Sequence, residues 1–290
     1  MNNKPLVSIY CITYNHEKFI SQAIESFLMQ KTNFPVEIVI GEDCSTDNTR
    51  AICLEYKEKF PDKIKLLLPE HNLGMTQNAI TTLQSCNGKY IALCDGDDYW
   101  TDENKLQKQV EFLEANEDFS ICFHAVKILI NNELIYDYIT GEIHDVTDIY
   151  DLAVRNHMHT CSVVFRRNEE VLKKIFVTDF PFIDYPLHLL NAQNGKIKKL
   201  SDTMGVYRIH CGGILHSSSF TYNSFVILYE KLIDLFNNDK KLINIFSEQK
   251  RFYIELNYLV NELYKIQNSK EMKIGKFLLA PLRFVKNKLK

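Results

Sequence analysis

The first hundred residues alternate short apolar runs with amphipathic stretches, and no other feature constrains the fold as much. Residues 6–14 (LVSIYCITY) are a β-branched and aromatic run of strand length. Residues 16–30 follow, with Phe19, Ala23, Ile24, Phe27 and Leu28 at helical spacing. Residues 35–41, 64–68 and 89–94 predict three further strands. Between them the pattern predicts helices from the Ser45-Thr46-Asp47 cap region to Phe60 and over 74–85. Helices alternating with apolar strands imply a mainly parallel sheet covered on both faces. Ligands of such sheets bind beyond the carboxyl ends of the strands. The loops of interest therefore open at Thr13, Glu42 and Asp95.

After Asp95 the pattern changes. A helix is expected over 103–116, and strands over 120–130 and 133–139 joined through Asn131-Asn132, a hairpin signal. A helix over 148–156, a strand over 162–166, a helix over 185–194 and short strands over 197–200 and 205–209 follow. Residues 218–267 read as two helices broken near Asn237-Asn238-Asp239. We expect one α/β domain over residues 1–215 and a helical extension over 216–290.

Composition removes several classes. A formal net charge of −3 does not favour a general nucleic-acid-coating protein, and no nucleic-acid partner is expected. No run approaches the ~20 apolar residues of a transmembrane helix, and the first fifteen residues lack a signal-peptide pattern. The eight cysteines include no CxxC pair. They read as mostly buried free thiols in a reducing, cytoplasmic setting.

Three strand-end clusters could carry chemistry. Asp95-Gly96-Asp97-Asp98-Tyr99-Trp100 crowds three carboxylates into four positions, which costs stability unless a cation or donors compensate. A divalent cation with oxygen ligands suits it. Gly96 is expected to let the backbone turn and leave room for a phosphate or sugar. An acidic turn capping a helix would read the same way. Glu42-Asp43 with Ser45-Thr46-Asp47 could accept hydrogen bonds from a base or ribose, or could be an Asx-turn. Thr13-Tyr14-Asn15 ends the first strand; Tyr14 could stack on a base or line a pocket, and Asn15 could stabilise the turn.

Taken in order, strand–TYN, strand–GEDCSTDNT, HNLGMTQNA–helix and strand–DGDDYW resemble the family 2 glycosyltransferases, inverting enzymes with the GT-A nucleotide-diphosphosugar fold. The resemblance spans about residues 5–215. It implies that Thr13, Tyr14 and Asn15 border the nucleotide, and that Glu42 and Asp43 are the acidic pair whose aspartate holds the base, usually uracil. It implies that Asn72, Gly74 and Asn78 lie near the donor. Asp95 would contact ribose or metal-bound water, Asp97 would be the main metal ligand, and Asp98, Tyr99 and Trp100 would continue the pocket floor. The segment Phe182-Ile183-Asp184-Tyr185-Pro186-Leu187 resembles the one carrying the catalytic base, with Asp184 as that base. Ile183 stands where the family often has an acidic residue. Tyr207-Arg208-Ile209-His210 resembles the closing YRxH stretch, in which His210 would complete the metal site or reach the diphosphate and Arg208 would neutralise phosphate. Trp100, His157, His159 and Thr160 are expected to face the acceptor.

The implied reaction is a single in-line displacement from a UDP-sugar, assisted by Mn²⁺ or Mg²⁺. The implied acceptor is a hydroxyl of a glycan or lipid-linked molecule, as in bacterial surface polysaccharide synthesis. Eight Lys/Arg against one Glu over 265–290, interleaved with Phe277, Leu278, Leu279 and Phe284, could lie on an anionic membrane surface, or could be a solvated basic tail. Two rivals share the fold or the ligand. One is a sugar nucleotidyltransferase, disfavoured because the first loop is YNHEKF rather than Gly-rich and basic. The other is a non-catalytic sugar-nucleotide or glycan-binding module. A Rossmann oxidoreductase is less fitting still, since no GxGxxG follows the first strand.

Overall fold

A computed structural model describes residues 4–140, 143–177, 179–210, 212–213 and 222–268. The chain divides into two compact units, Met1–Ser217 and Ser218–Lys290. In the first, β1 (Val7–Thr13), α1 (Ile20–Leu28), β2 (Val36–Glu42), α2 (Thr49–Lys59), β3 (Ile64–Leu67), α3 (Met75–Gln84) and β4 (Tyr90–Leu93) follow the expected alternation. Helix α1 begins four residues later than the pattern predicts. The backbone N–H groups of His16 and Glu17 are bound instead by Thr49 Oγ1 and Asp47 Oδ2, at 2.8 and 3.1 Å.

Next come β5 (Tyr99–Trp100), α4 (Lys105–Ala115), β6 (Phe119–Ile130), β7 (Glu133–Ile135), β8 (Val146–Thr147), α5 (Ile149–Val154) and a 3-10 turn, Thr160–Ser162. The unit continues with β9 (Val164–Arg166), α6 (Glu169–Phe176), α7 (Asp184–Ala192) and β10 (Lys196–Ile209). Asn131 and Asn132 both take positive φ, 51° and 65°, as a tight hairpin requires. Helix α6 was not predicted. Its signal is Asn168, whose side chain caps the N–H groups of Glu170 and Val171. The two short strands expected over 197–200 and 205–209 are one strand, β10, running parallel to β6 through irregular register between Leu200 and Gly205.

Among the described residues the sheet runs β3-β2-β1-β4-β9-β6-β10-β5, with β7 on β6 and β8 on β10. Strands β3, β2, β1 and β4 are parallel, whereas β9 lies antiparallel to both β4 and β6. The sheet is therefore mixed, and the parallel half carries the three strand-end loops on one edge. Strand β1 is central to that half and almost wholly buried, which explains a run too apolar for an edge. Cys11, Cys53, Cys86, Cys94, Cys122 and Cys161 are buried free thiols and Cys44 is partly exposed; Cys211 lies outside the described residues. Burial pushes the thiols of Cys53, Cys86 and Cys122 up to about 12, so they are inert packing groups.

The second unit contains α8 (Tyr222–Leu235) and α9 (Lys240–Asn268), with the break where Asn237-Asn238-Asp239 marks it. The helices pack through aromatic rings, Phe225 stacking on Tyr253 at 4.3 Å. The basic tail beyond Asn268 lies outside the described residues.

Candidate active site

The loops after β1, β2 and β4, the start of α3 and the end of β10 enclose a cavity of about 260 Å³. Thr13, Tyr14, Asp43, Asn72, Gly74, Asn78, Asp95, Asp97, Asp98, Arg208 and His210 line it, so most of the predicted donor residues converge there. The loop after β1 is pinned to the one after β2. Asn15 takes a left-handed φ of 55° and its Oδ1 accepts from Thr46 N at 2.8 Å, while its own N–H donates to Ser45 Oγ at 2.9 Å. Asn15 is thus a turn former, and its neighbour Tyr14, 42% exposed, is part of the cavity lining.

The acidic pair splits. Glu42 is fully buried, pairs with Arg50 and accepts Ser45 N at 2.7 Å, so it braces the loop instead of facing a nucleotide. Asp43 faces the cavity and accepts the N–H groups of Leu73 and Gly74 at 2.7 and 3.0 Å. Burial raises its pKa against the pull of those two donors. Gly74 sits at φ 81°, a backbone that a side chain would strain, and starts α3 at the cavity wall. Asn72 Nδ2 donates to Asp43 O at 2.9 Å, and buried Asn78 Nδ2 to Gly41 O at 2.9 Å.

The three carboxylates after β4 occupy three environments. Asp95 is half-buried, with Oδ1 out of solvent and unpartnered, and desolvation followed by repulsion from Asp97 and Asp184 drives its pKa well up. Asp98 is 2% exposed and accepts Arg208 N at 2.8 Å; burial, then the charge of Asp97, raises it too. For Asp97 burial pushes upward, but the hydrogen bond from His210 and the charge of His16 outweigh it and hold the group below the usual carboxylate range. His210 Nε2 lies 3.0 Å from Asp97 Oδ2. Gly96 does not leave space for a ligand as expected: a Cβ there would meet Thr13 Oγ1 at 2.6 Å and Ile20 Cδ1 at 3.0 Å. Its role is to let the turn close on β1. The Arg208 guanidinium sits over Phe19 and Tyr99, 4.9 and 4.7 Å from the ring centres, and donates to Asp97 O and Gln22 Oε1. It therefore also holds the acidic turn in shape.

Asp184 begins α7 beside the cavity, outside its lining. Its Oδ1 is buried without a partner, and desolvation raises its pKa over the opposing pull of backbone N–H groups. Its charge reaches Asp95 and Tyr10.

Three residues expected at the acceptor are interior instead. Trp100 is 2% exposed, packs on Phe27 at 4.9 Å and donates Nε1–H to Cys161 O at 2.7 Å. His157 is fully buried between Arg155 O and Thr147 Oγ1, at 3.0 and 3.2 Å. His159 is 5% exposed and bonds Asp137 at 3.0 Å. Each has a hydrogen-bond partner inside the protein, as buried polar rings generally do. Thr160 is half-buried at the 3-10 turn, away from the cavity lining. The sequence reading missed His16, which lines the cavity with Nε2 3.9 Å from Asp97 Oδ2. Its only local signal was its place directly after the first strand-end motif.

A mixed α/β sheet with an acidic turn at the carboxyl edge of its parallel half defines a nucleotide-sugar transferase architecture of the GT-A kind. Residues 8–176 match the profile of Glycosyl transferase family 2, and the chain belongs to that family. An uncharacterized protein of Mycobacterium tuberculosis is 39% identical over 217 residues, 73% of this chain and 61% of that protein. The chain thus spans about three fifths of the length of its mycobacterial relatives. The UDP-Glc:alpha-D-GlcNAc-diphosphoundecaprenol beta-1,3-glucosyltransferase WfgD of Escherichia coli is 30% identical over 268 residues, 88% of this chain and 92% of that one. Among solved structures, S. aureus TarS 1-349 in complex with UDP-GlcNAc superimposes with a TM-score of 0.66 at 19% identity, over 92% of this chain and 77% of that one. That likeness shows the fold.

Proposed function

We propose that this chain is an inverting glycosyltransferase that moves a sugar from a UDP-sugar to a hydroxyl of a glycan or lipid-linked acceptor in bacterial surface polysaccharide synthesis. Asp43, Asp97 and His210 line one cavity at the sheet edge, and that observation carries the reading; Asp184 stands outside the lining, within electrostatic reach of Asp95. WfgD, named for a UDP-glucose donor and a diphosphoundecaprenol acceptor, supports the choice of substrate classes.

Asp43 spends two lone-pair sites on backbone N–H groups and keeps others for the N–H of a uracil ring. Asp97 is ionised and His210 offers a nitrogen beside it, so the pair fits a divalent cation such as Mn²⁺ or Mg²⁺. Asp98 accepts the Arg208 backbone N–H at 2.8 Å and is less free to turn toward an ion. When bound, the cation supplies Lewis-acid stabilisation of the departing diphosphate. Asp184 takes the acceptor hydroxyl's proton as that oxygen attacks the anomeric carbon and the bond to the diphosphate breaks. One attack from the face opposite the leaving group inverts the centre.

A thermal-shift panel of nucleotides with and without Mn²⁺ tests the donor site. UDP is expected to raise the melting temperature more than other nucleoside diphosphates do, with part of the rise requiring Mn²⁺. Asp97→Ala is expected to lose the Mn²⁺-dependent part. No shift with any nucleotide would overturn the reading.

Contact with an anionic membrane surface is part of the same proposal. Helix α9 leaves Tyr258, Leu259 and Leu263 exposed and leads into the basic stretch from Lys265. No described helix is long and apolar enough to cross a membrane. Anionic liposomes are expected to co-sediment the full chain but not a variant with Lys273, Lys276, Arg283 and Lys286 changed to Gln. Equal sedimentation of the two would remove the tail from the proposal.

A further inference from the structure

Asp97 has a second imidazole facing it. His16 Nε2 lies 3.9 Å from Asp97 Oδ2, on the same oxygen that His210 Nε2 approaches to 3.0 Å. One potential ligand atom from each of His16, Asp97 and His210 falls within 4.8 Å of the other two. All three side chains are partly open to the cavity, with 15–19% of each exposed. The two imidazoles meet edge to face, with centres 5.9 Å apart.

The protein holds the His16 ring without using its nitrogens. Its backbone N–H goes to Thr49 Oγ1 at 2.8 Å, and its carbonyl accepts Phe19 N and Ile20 N, each at 2.9 Å. Nδ1 is buried with no partner, and Nε2 stands beyond hydrogen-bond reach of Asp97. A ring nitrogen aimed at a carboxylate and a second imidazole, but bonded to neither, has the placement of a ligand. Divalent ions bind nitrogen and oxygen at about 2.0–2.2 Å, which sets adjacent ligand atoms ~3 Å apart and opposed ones ~4.2 Å apart. The separations of 3.0 and 3.9 Å lie in that span.

We propose that His16 is a third protein ligand to the ion held by Asp97 and His210, so that the chain carries a two-histidine, one-carboxylate site selective for a transition ion over Mg²⁺. The inference rests on the metal-assisted reading above and adds a ligand and an ion preference to it. Imidazole suits Mn²⁺, Co²⁺ and their neighbours, whereas Mg²⁺ prefers oxygen and keeps its waters. Three protein ligands leave the remaining positions for water or the donor's diphosphate.

The test measures ion binding by the full chain without nucleotide. Mn²⁺ affinity is read by paramagnetic resonance of the free ion, Mg²⁺ by competition, and the environment of bound Co²⁺ by its visible absorption. The wild type is expected to bind Mn²⁺ and Co²⁺ well ahead of Mg²⁺. His16→Ala and His16→Asn are expected to weaken Mn²⁺ and Co²⁺ at least ~10-fold, since even outer-shell partners of metal ligands are worth that much. They should change the Co²⁺ spectrum and barely move Mg²⁺. Melting curves in chelator, equal to wild type, establish that the variants fold; His16→Asn serves if His16→Ala does not. Wild-type Mn²⁺ affinity in a folded His16 variant, alongside its loss in Asp97→Ala, would overturn this inference and leave the Asp97–His210 reading standing. A wild type that binds no ion, with or without UDP, would overturn both.

Discussion

Replacing Asp184 with Asn lowers the turnover of sugar transfer by ~10²–10⁴, the usual worth of a positioned general base, while UDP-sugar binding changes little. The substitution keeps the shape of the side chain at the start of α7 and removes only its capacity to take a proton. Oδ1 has no partner, and the other carboxylate oxygen can keep its backbone N–H donors as the amide oxygen of Asn, so an equal melting temperature is expected and the loss is assigned to chemistry. The pH dependence gives a second readout. Burial raises the pKa of Asp184, so the carboxylate stays protonated to a higher pH than an exposed aspartate would. As a base it works only above that pKa, and activity falls as pH drops through it. The acid limb of the turnover profile is therefore expected above the ordinary aspartate range. Single-turnover transfer, paired with calorimetric titration of the donor, separates the two effects. An Asp184→Asn variant with wild-type turnover would remove the assignment.

Replacing Trp100 with Ala destabilises the first unit by ~3–5 kcal/mol, the range for deleting a buried aromatic side chain. Trp100 fills space against Phe27, lies under the Lys105 ammonium at 4.0 Å from the ring and binds Cys161 O. Its loss opens a cavity, strands a buried carbonyl and removes the cover of Lys105, whose burial already lowers its pKa to about 7. Trp100→Phe keeps most of the volume and is expected to cost less than half as much. Urea melts of the three proteins measure this. A Trp100→Ala protein as stable as wild type, with a weakened affinity for acceptor alone, would restore the sequence-based placing of Trp100 on the acceptor side.

Much of the donor half was legible because its signals are short-range. Strand β1 reads as a strand from its own β-branched residues, and α3 as a helix from its own periodicity. The ordered motifs place Asp43, Asn72, Gly74, Asp95 and Asp97 on one strand-end edge once the strands are parallel, and the cavity lining contains all five. The acceptor side was harder to read. His157 and His159 stand in a stretch that looks like an open loop, and only the packing of β6 and β8 with the Asp137 turn encloses them.

The order of strands and helices through β4, the family resemblance and the crowding of carboxylates in the acidic turn were thus determined by the amino-acid sequence itself, because each depends on residues close together along the chain. The tertiary structure decided which carboxylate stays ionised, which glycine meets protein instead of ligand, and which histidines face Asp97. Burial and opposing charge are set by segments far apart in sequence. His16 and His210 meet only because β10 returns along the sheet to the edge where β1 ends, and nothing local to either residue encodes that meeting.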